Sequence, residues 1–111
     1  MVKIENNNIT LTRGDTVKFL LEIFDCDGLP YNLKSTDQLI FTLRRIYGKG
    51  EELIRKTFTL PEFSLSTADT KDLSFGKYKY DIYLYNTQSH KLDTFIAERD
   101  FIISEEVHNF E

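Results

Sequence analysis

The stretch 69–85, DTKDLSFGKYKYDIYLY, concentrates tyrosines, lysines and aspartates, which are residue types that can transfer protons in an enzyme. A catalytic Tyr78 would need a base or an oxyanion hole near its hydroxyl, and the neighbouring residues of the sequence supply neither. Asp69 and Asp72 fit the roles of turn and capping residues instead. The sequence therefore predicts no catalytic residue in this stretch, and we expect a protein that is not an enzyme.

The aspartates on either side of Cys26 are the strongest candidates for binding a metal ion. A calcium-binding loop needs oxygen ligands at fixed offsets, with a glycine at about position six and a closing glutamate at about position twelve. Counted from Asp25, the glycine is Gly28 at position four, and position twelve is Thr36. Asp37 is the next aspartate along the chain. The spacing predicts an Asp-Gly hairpin turn rather than a calcium site, and we expect no metal and no cofactor.

Cysteine and histidine are too sparse for nucleophilic or zinc chemistry. The single cysteine, Cys26, lies between two aspartates, which disfavour a reactive thiolate, and it excludes an intrachain disulfide. His90 and His108 each stand alone, whereas a zinc site needs several ligands at short spacings. The tripeptide RGD at 13–15 matches an integrin-binding motif, but in a protein expected to be made in a cytoplasm it predicts a turn.

Composition predicts one globular domain over residues 1–111. The chain is 41% hydrophobic and 29% charged, which is ordinary for a globular protein. A net charge of -4 and a pI near 5.2 argue against an electrostatic nucleic-acid binder. The first residues lack the apolar segment of a signal peptide, and no run reaches the roughly 18 apolar residues of a membrane helix. We therefore expect neither nucleic acid nor membrane as a partner.

Five basic residues nevertheless cluster in the middle of the chain. We interpret them as the solvated face of one hairpin, and a patch that binds phosphate or nucleic acid is the alternative. They are Arg44, Arg45, Lys49, Arg55 and Lys56.

Short alternating segments separated by turn residues predict β-strands rather than helices. In 16–24 the odd-numbered positions are apolar and predicted to face the core, whereas Leu20 and Phe24 share the other face. A helical turn capped by Thr67 is predicted at 67–73. The segments together predict a two-sheet antiparallel sandwich of seven or eight strands, with a small barrel as the alternative. The predicted strands are 2–5, 9–12, 16–24, 38–46, 52–58, 61–66, 76–86 and 94–103, the last with a bulge near 98–100.

A helical turn followed by Gly76 and a long strand is the pattern of the tyrosine corner in immunoglobulin-like sandwiches. Tyr78 would occupy this corner, with its ring in the core and its hydroxyl bonded to a buried backbone group. Further along the strand, Tyr83 and Tyr85 alternate away from the core on a strand expected to be central. They are therefore candidates for a partner interface.

Several motifs follow one another in an order typical of one family. ITLTRGDTVKFLLEIFDCDGLPYNL is followed by DQLIFTLRR, LIRKTF and DTKDLSFGKYKYDIYL, and near the end by DTF and FIISEEV. This order and spacing resembles the small immunoglobulin-like β-sandwich proteins of tailed bacteriophages and prophages. They include the N-terminal domain of baseplate upper proteins and short tail or virion-associated proteins. The resemblance implies structural roles for Gly14, Asp15, Gly28, Pro30, Gly76, Tyr78 and Tyr80.

The resemblance implies a non-enzymatic structural or assembly module of a phage or prophage particle that acts by protein–protein docking. Its partners would be other phage structural proteins or copies of itself. It would be made in the bacterial cytoplasm without a signal peptide and incorporated in a virion. Tyr47, Tyr83 and Tyr85 are the candidate interface residues. The alternative is a carbohydrate- or cell-surface-binding sandwich in which these tyrosines stack on sugar rings, although the chain contains no tryptophan.

Overall fold

The computed structural model describes residues 2–5, 7–25, 27–45 and 51–105. Over these residues the chain forms eight β-strands and one short helix, which confirms the all-β class. The helix α1 (Thr67–Thr70) lies between the sixth and seventh strands. The strands are β1 (Val2–Glu5), β2 (Asn8–Thr12), β3 (Val17–Leu20), β4 (Asp37–Arg45), β5 (Glu52–Phe58), β6 (Glu62–Leu65), β7 (Gly76–Asn86) and β8 (Leu92–Ser104).

Two sheets form the predicted sandwich. The large sheet has the strand order β1-β2-β8-β7-β4-β5, and the small sheet pairs β3 with β6. The run β8-β7-β4-β5 has the order of the G, F, C and C′ strands of variable-type immunoglobulin domains. One pair departs from the antiparallel pattern, because β2 runs parallel to β8 with Ile9 opposite Phe101. Hydrophobic alternation determines which face a strand buries, but it does not determine the direction of the neighbouring strand.

The core lies between the small sheet and the facing side of the large sheet, which we call the inner face. Phe41 is fully buried at its centre. The ring centroid of Phe41 lies 4.8 Å from that of Phe63 on β6 and 6.2 Å from that of Phe101 on β8. The ring of Phe63 in turn stacks on Phe19 of β3 at 4.9 Å. Since these rings come from both sheets, their packing holds the sandwich together.

The RGD turn connects β2 to β3, as predicted. Gly14 has a φ of 85°, a left-handed conformation that favours glycine. The Gly14 N–H donates to Oγ1 of Thr70 at 2.9 Å, and the Gly14 carbonyl accepts a hydrogen bond from Oγ1 of Thr67 at 2.7 Å. The N–H of Asp15 donates to the carbonyl of Thr12 at 3.1 Å. The turn is therefore fastened to α1, which lies far away in the sequence.

The cap of α1 differs from the prediction. Thr67 is the first residue of the helix rather than its cap, and the N-cap is Ser66. The Asp69 carboxylate accepts hydrogen bonds from the Ser66 N–H at 2.7 Å and from the Ser66 hydroxyl at 3.2 Å. The prediction that Asp69 caps the turn is confirmed, and the hydroxyl of Thr67 serves the RGD turn instead.

The predicted bulge near 98–100 is confirmed. The register of β7 against β8 shifts between Tyr80 and Ile82. Beyond this shift, Phe101 lies opposite Tyr78 and is fully buried. A bulge adds one residue to a strand and so changes which side chains face the core.

Tyr78 forms the predicted tyrosine corner. Its buried hydroxyl donates to the carbonyl of Ser74, four residues upstream, at 2.7 Å. Gly76, between the two, has a φ of 138°. The hydroxyl of Tyr80 donates to the carbonyl of Asn7, which has the left-handed φ of 66° expected at the break after β1. Burial raises the pKa of Tyr80 to about 12, so this hydroxyl keeps its proton.

Replacing Tyr78 by phenylalanine keeps the ring and removes the corner hydrogen bond. We expect Tyr78→Phe to lower the free energy of unfolding by about 1–2 kcal/mol, because the Ser74 carbonyl loses its donor. Equilibrium urea denaturation measures this change. Tyr85→Phe is the matched control, because it removes an exposed hydrogen bond to His90 of 2.9 Å. Equal losses in the two variants would contradict a stabilising role for the corner.

Candidate functional site

A cavity of about 600 Å³ opens at the end of the sandwich where β7 ends and β8 begins. The ends of β4, β7 and β8 form one wall. The other wall comes from the connection after β3 and contains Ile23, Phe24, Asp25, Tyr31 and Lys34. The cavity therefore lies between the inner face of the large sheet and the first long connection between the sheets.

At this end the inner face of the large sheet changes from apolar to polar. Leu39 lies opposite Leu84, and two positions further on Asp37 lies opposite Asn86. On β8, Asp93 lies opposite Leu84. Because residues two apart on a strand share a face, and directly opposed residues do too, all three polar side chains lie on the core side of the sheet. Three neighbouring strands thus supply a polar wall to the cavity.

Asp37 is the centre of a buried hydrogen-bond network and is only 2% exposed. Its Oδ2 accepts hydrogen bonds from the Tyr31 hydroxyl at 2.6 Å and from the Lys34 N–H at 2.9 Å, and its Oδ1 accepts one from Nδ2 of Asn86 at 2.9 Å. Burial alone would raise the pKa of Asp37, but these hydrogen bonds lower it below its usual value. The hydrogen bond to Asp37 raises the pKa of Tyr31 to about 12, so the phenol remains a donor.

The opposite wall of the cavity contains a small hairpin within residues 23–25 and 27–31. The N–H of Tyr31 donates across this hairpin at 2.8 Å, and Phe24 and Pro30 form an isolated β-bridge. Gly28 has a φ of 78°, which the predicted Asp-Gly turn requires. This hairpin brings Phe24 and Tyr31 to the cavity.

A second bulge in β8 places Phe95 in the cavity wall. Ile96 lies opposite Ile82 while Thr94 lies opposite Tyr83, so Phe95 is an extra residue of β8. Strict alternation would place Phe95 and Ile96 on opposite faces, but both pack partly buried against the core. The bulge therefore provides an aromatic side chain where the polar wall begins.

The outer face of the large sheet, which points away from the small sheet, contains two of the predicted interface residues. Tyr83 and Tyr85 are half-buried on β7, opposite Ile40 and Gln38 of β4. This agrees with their predicted orientation away from the core on a central strand. Tyr47 lies outside the described residues.

Arg44 pairs with two acids on the same outer face. One guanidinium nitrogen lies 3.2 Å from Oδ2 of Asp81, and another lies 3.3 Å from Oε1 of Glu52. Asp81 is 6% exposed although it lies on the outer face. Burial raises the pKa of Asp81, and the opposing effect of the Arg44 charge is too small to reverse this shift.

The interpretation of the basic residues as one solvated face is wrong. Arg44 lies on the outer face, whereas Lys56 lies opposite the buried Phe41 and therefore belongs to the inner side. Lys56 pairs with Asp69 at 3.0 Å, and Arg55 pairs with Glu52 at 3.3 Å. The described members of the cluster are thus divided between two faces, because successive side chains of each strand point to opposite faces of the sheet.

Exposed aliphatic side chains lie on the other side of the molecule, on the small sheet. Leu20 ends β3 opposite Glu62 and is 75% exposed. The N–H of Leu21, the next residue in the chain, donates to the carbonyl of Pro61 at 2.8 Å. This bond brings Leu60, which precedes Pro61 and is 61% exposed, near to Leu20. We call Leu20 and Leu60 the apolar patch.

The carboxylate of Asp25 is engaged in the predicted Asp-Gly turn. The Oδ1 atom of Asp25 accepts hydrogen bonds from the N–H groups of Asp27 and Leu29 at 2.9 and 3.0 Å. Within the described ranges, no three His, Cys, Asp or Glu side chains lie close enough together to hold a metal ion. Among the same residues, no helix is long and apolar enough to cross a membrane.

No family model matches the chain, and no curated protein or solved structure matches it. The class of protein is therefore defined by the fold, an all-β sandwich with an immunoglobulin-like strand order.

Asp93 and Phe95 lie in the motif DTF, for which the sequence predicts no site, and Asp37 was considered only as a calcium ligand. A signal for Asp37 exists, because it lies two positions before Leu39 and so shares its core-facing side. A charged residue at such a position indicates a buried network or a site. Asp93 and Phe95 have no comparable signal, because the β8 bulges decide where they point.

Proposed function

We propose that this chain is a non-enzymatic assembly module of a phage or prophage particle. It docks to other particle proteins or to copies of itself through an exposed face of the sandwich. A role in a phage particle is supported by the order and spacing of the motifs, which resemble those of phage sandwich proteins. In this proposal the protein is made in the bacterial cytoplasm and becomes part of the virion.

The apolar patch is the observation that supports docking most directly. Leu20 is 75% exposed and Leu60 is 61% exposed. Grouped apolar side chains on a soluble surface are typical of sites that another protein covers. Burying one leucine on association contributes about 1.5–3 kcal/mol. A few such contacts therefore supply a large share of the binding free energy of a weak interface. Tyr83 and Tyr85 on the outer face of the large sheet form the competing surface.

A charge in the apolar patch should abolish docking. We expect Leu20→Asp to dissociate the assembly formed by the wild-type chain, because the partner would have to bury an unpaired carboxylate. Size-exclusion chromatography with light scattering over a concentration series measures self-association. Co-purification with particles, followed by mass spectrometry, measures docking to other particle proteins.

Leu92→Asp is the matched control for Leu20→Asp. Leu92 is 56% exposed and lies opposite Tyr85 on the outer face of the large sheet. Assembly lost in Leu92→Asp and retained in Leu20→Asp would move the interface to the face with Tyr83 and Tyr85. A wild-type chain that stays monomeric at every concentration and is absent from purified particles would overturn the proposed function.

A further inference from the structure

We infer that the cavity at the end of the sandwich binds a short, uncharged saccharide. This site is distinct from the apolar patch and from the tyrosines of the outer face, and its function goes beyond assembly. It would give the module a second role, in which the chain recognises a hydroxyl-rich ligand.

The cavity has the size and position of a ligand site. Its volume of about 600 Å³ lies within the range of about 300–1,000 Å³ that is usual for small-molecule sites. Its walls come from strands of the large sheet and from a hairpin fastened by backbone hydrogen bonds. A cavity with such walls is available before the ligand arrives, which reduces the entropic cost of binding.

Aromatic residues at the cavity provide apolar surface for the C–H faces of a sugar ring. Phe24 is exposed, and Tyr31 and Phe95 are half-buried. Phe95 is present in the wall because of the second bulge of β8, opposite the step from Ile82 to Tyr83. Bulges are frequent next to functional sites, where they change the direction of a side chain.

The polar groups of the cavity divide into two sets with different roles. Asp37 and Asn86 bond to one another, and Asp37 also accepts hydrogen bonds from Tyr31 and Lys34, so they form a rigid base. In contrast, the side chain of Asp93 makes no hydrogen bond or ion pair with another described residue. Asp93 is exposed and lines the cavity, so its carboxylate can accept hydrogen bonds from a ligand.

The charges of the cavity are of both signs. Its lining residues include the acids Asp25, Asp37 and Asp93 and the bases Lys34 and Lys91. The carboxylate of Asp37 is engaged by donors of the protein, which leaves two acids and two lysines to contact a ligand. Such a mixture is specific for neither a strongly anionic nor a strongly cationic ligand. It suits hydroxyl groups, because each hydroxyl can donate to a carboxylate and accept from an ammonium group. Aromatic surface beside such mixed polar groups is the combination that a neutral saccharide needs.

A labelled full-length chain on a glycan array, followed by saturation-transfer NMR with the best saccharide, tests this inference. Choline chloride and sodium phosphate serve as charged probes. We expect one or more saccharides to bind and both charged probes to fail. Asp93→Ala and Phe24→Ala should each weaken saccharide binding by about tenfold or more, which corresponds to about 1.4 kcal/mol or more.

Two substitutions at the opposite end of the sandwich are matched controls. Asp72→Ala and Phe75→Ala remove exposed residues of the same types just before β7, roughly 30 Å away along that strand. Their binding should equal that of the wild type, and circular dichroism melting confirms that every variant is folded. An array without a binding saccharide, stronger binding of choline or phosphate, or undiminished binding by Asp93→Ala and Phe24→Ala would overturn the inference. Leu20→Asp should retain saccharide binding, which separates this site from docking.

Discussion

Phe41→Ala is expected to lower the free energy of unfolding by about 3–5 kcal/mol. Phe41 is fully buried, and its ring packs against Phe63, Tyr80 and Phe101 at centroid distances of 4.8, 5.6 and 6.2 Å. Alanine at this position leaves a cavity where the two sheets meet. Since a domain of this kind has a total stability of about 5–15 kcal/mol, the variant should be close to unfolding.

Equilibrium urea denaturation, monitored by far-ultraviolet circular dichroism, measures the effect of Phe41→Ala. Phe75→Ala is the matched control because Phe75 is exposed, with the Arg13 guanidinium 4.1 Å from its ring centroid. It should lose no more than about 1 kcal/mol, the value of an exposed cation–π contact. Phe41→Leu should recover most of the loss. Similar midpoints for Phe41→Ala and Phe75→Ala would contradict the central position of the Phe41 ring.

The second large effect is expected at Asp37. Asp37→Ala should lower the free energy of unfolding by about 3 kcal/mol, because it leaves several donors without an acceptor. These donors are the Tyr31 hydroxyl, the Lys34 N–H and Nδ2 of Asn86. Urea denaturation at pH 7 measures the loss, and Asp72→Ala, at an exposed aspartate, is the control. A loss no greater than that of the control would show that the network does not stabilise the fold.

Asp37 also makes the free energy of unfolding depend on pH. Its pKa is lowered in the folded protein, because the hydrogen bonds it accepts outweigh the effect of burial. Its contribution is therefore present above the unfolded pKa of about 3.9 and is lost as pH falls below that value through the folded pKa. Asp37→Asn should be less stable than the wild type at pH 7, and the difference should shrink below about pH 4. A difference that stays constant from pH 7 to pH 2.5 would contradict this linkage.

The existence of the strands could be predicted because their signals are local. The bounds of β5 and β7 agree with the prediction, since a bend at 59–61 follows β5 and a turn at 87–89 follows β7. The tyrosine corner was predictable for the same reason, because it needs only Gly76 and Tyr78 at the start of a long strand. The prediction for 16–24 was less accurate: β3 ends at Leu20, although Ile23 still faces the core.

The cavity could be predicted only in part. The Asp-Gly turn was visible in the sequence, and Gly28 has the left-handed conformation that this turn requires. However, the hydrogen bond from Tyr31 to Asp37 joins the hairpin on one wall of the cavity to β4 on the other wall. The periodicity of the sequence cannot predict such a contact. Asp93 and Phe95 reach the cavity because β8 contains bulges, whose effect on side-chain direction depends on the partner strand.

By itself, the sequence determined that this protein is an all-β sandwich with a tyrosine corner, since alternation, turn residues and the corner motif act over a few neighbouring residues. The tertiary structure alone decided that β2 pairs in parallel with β8 and that Arg44 and Lys56 lie on different faces. It also decided that polar ends of three strands meet a hairpin around one cavity. These features depend on contacts between residues far apart in the chain, whose geometry no local pattern records.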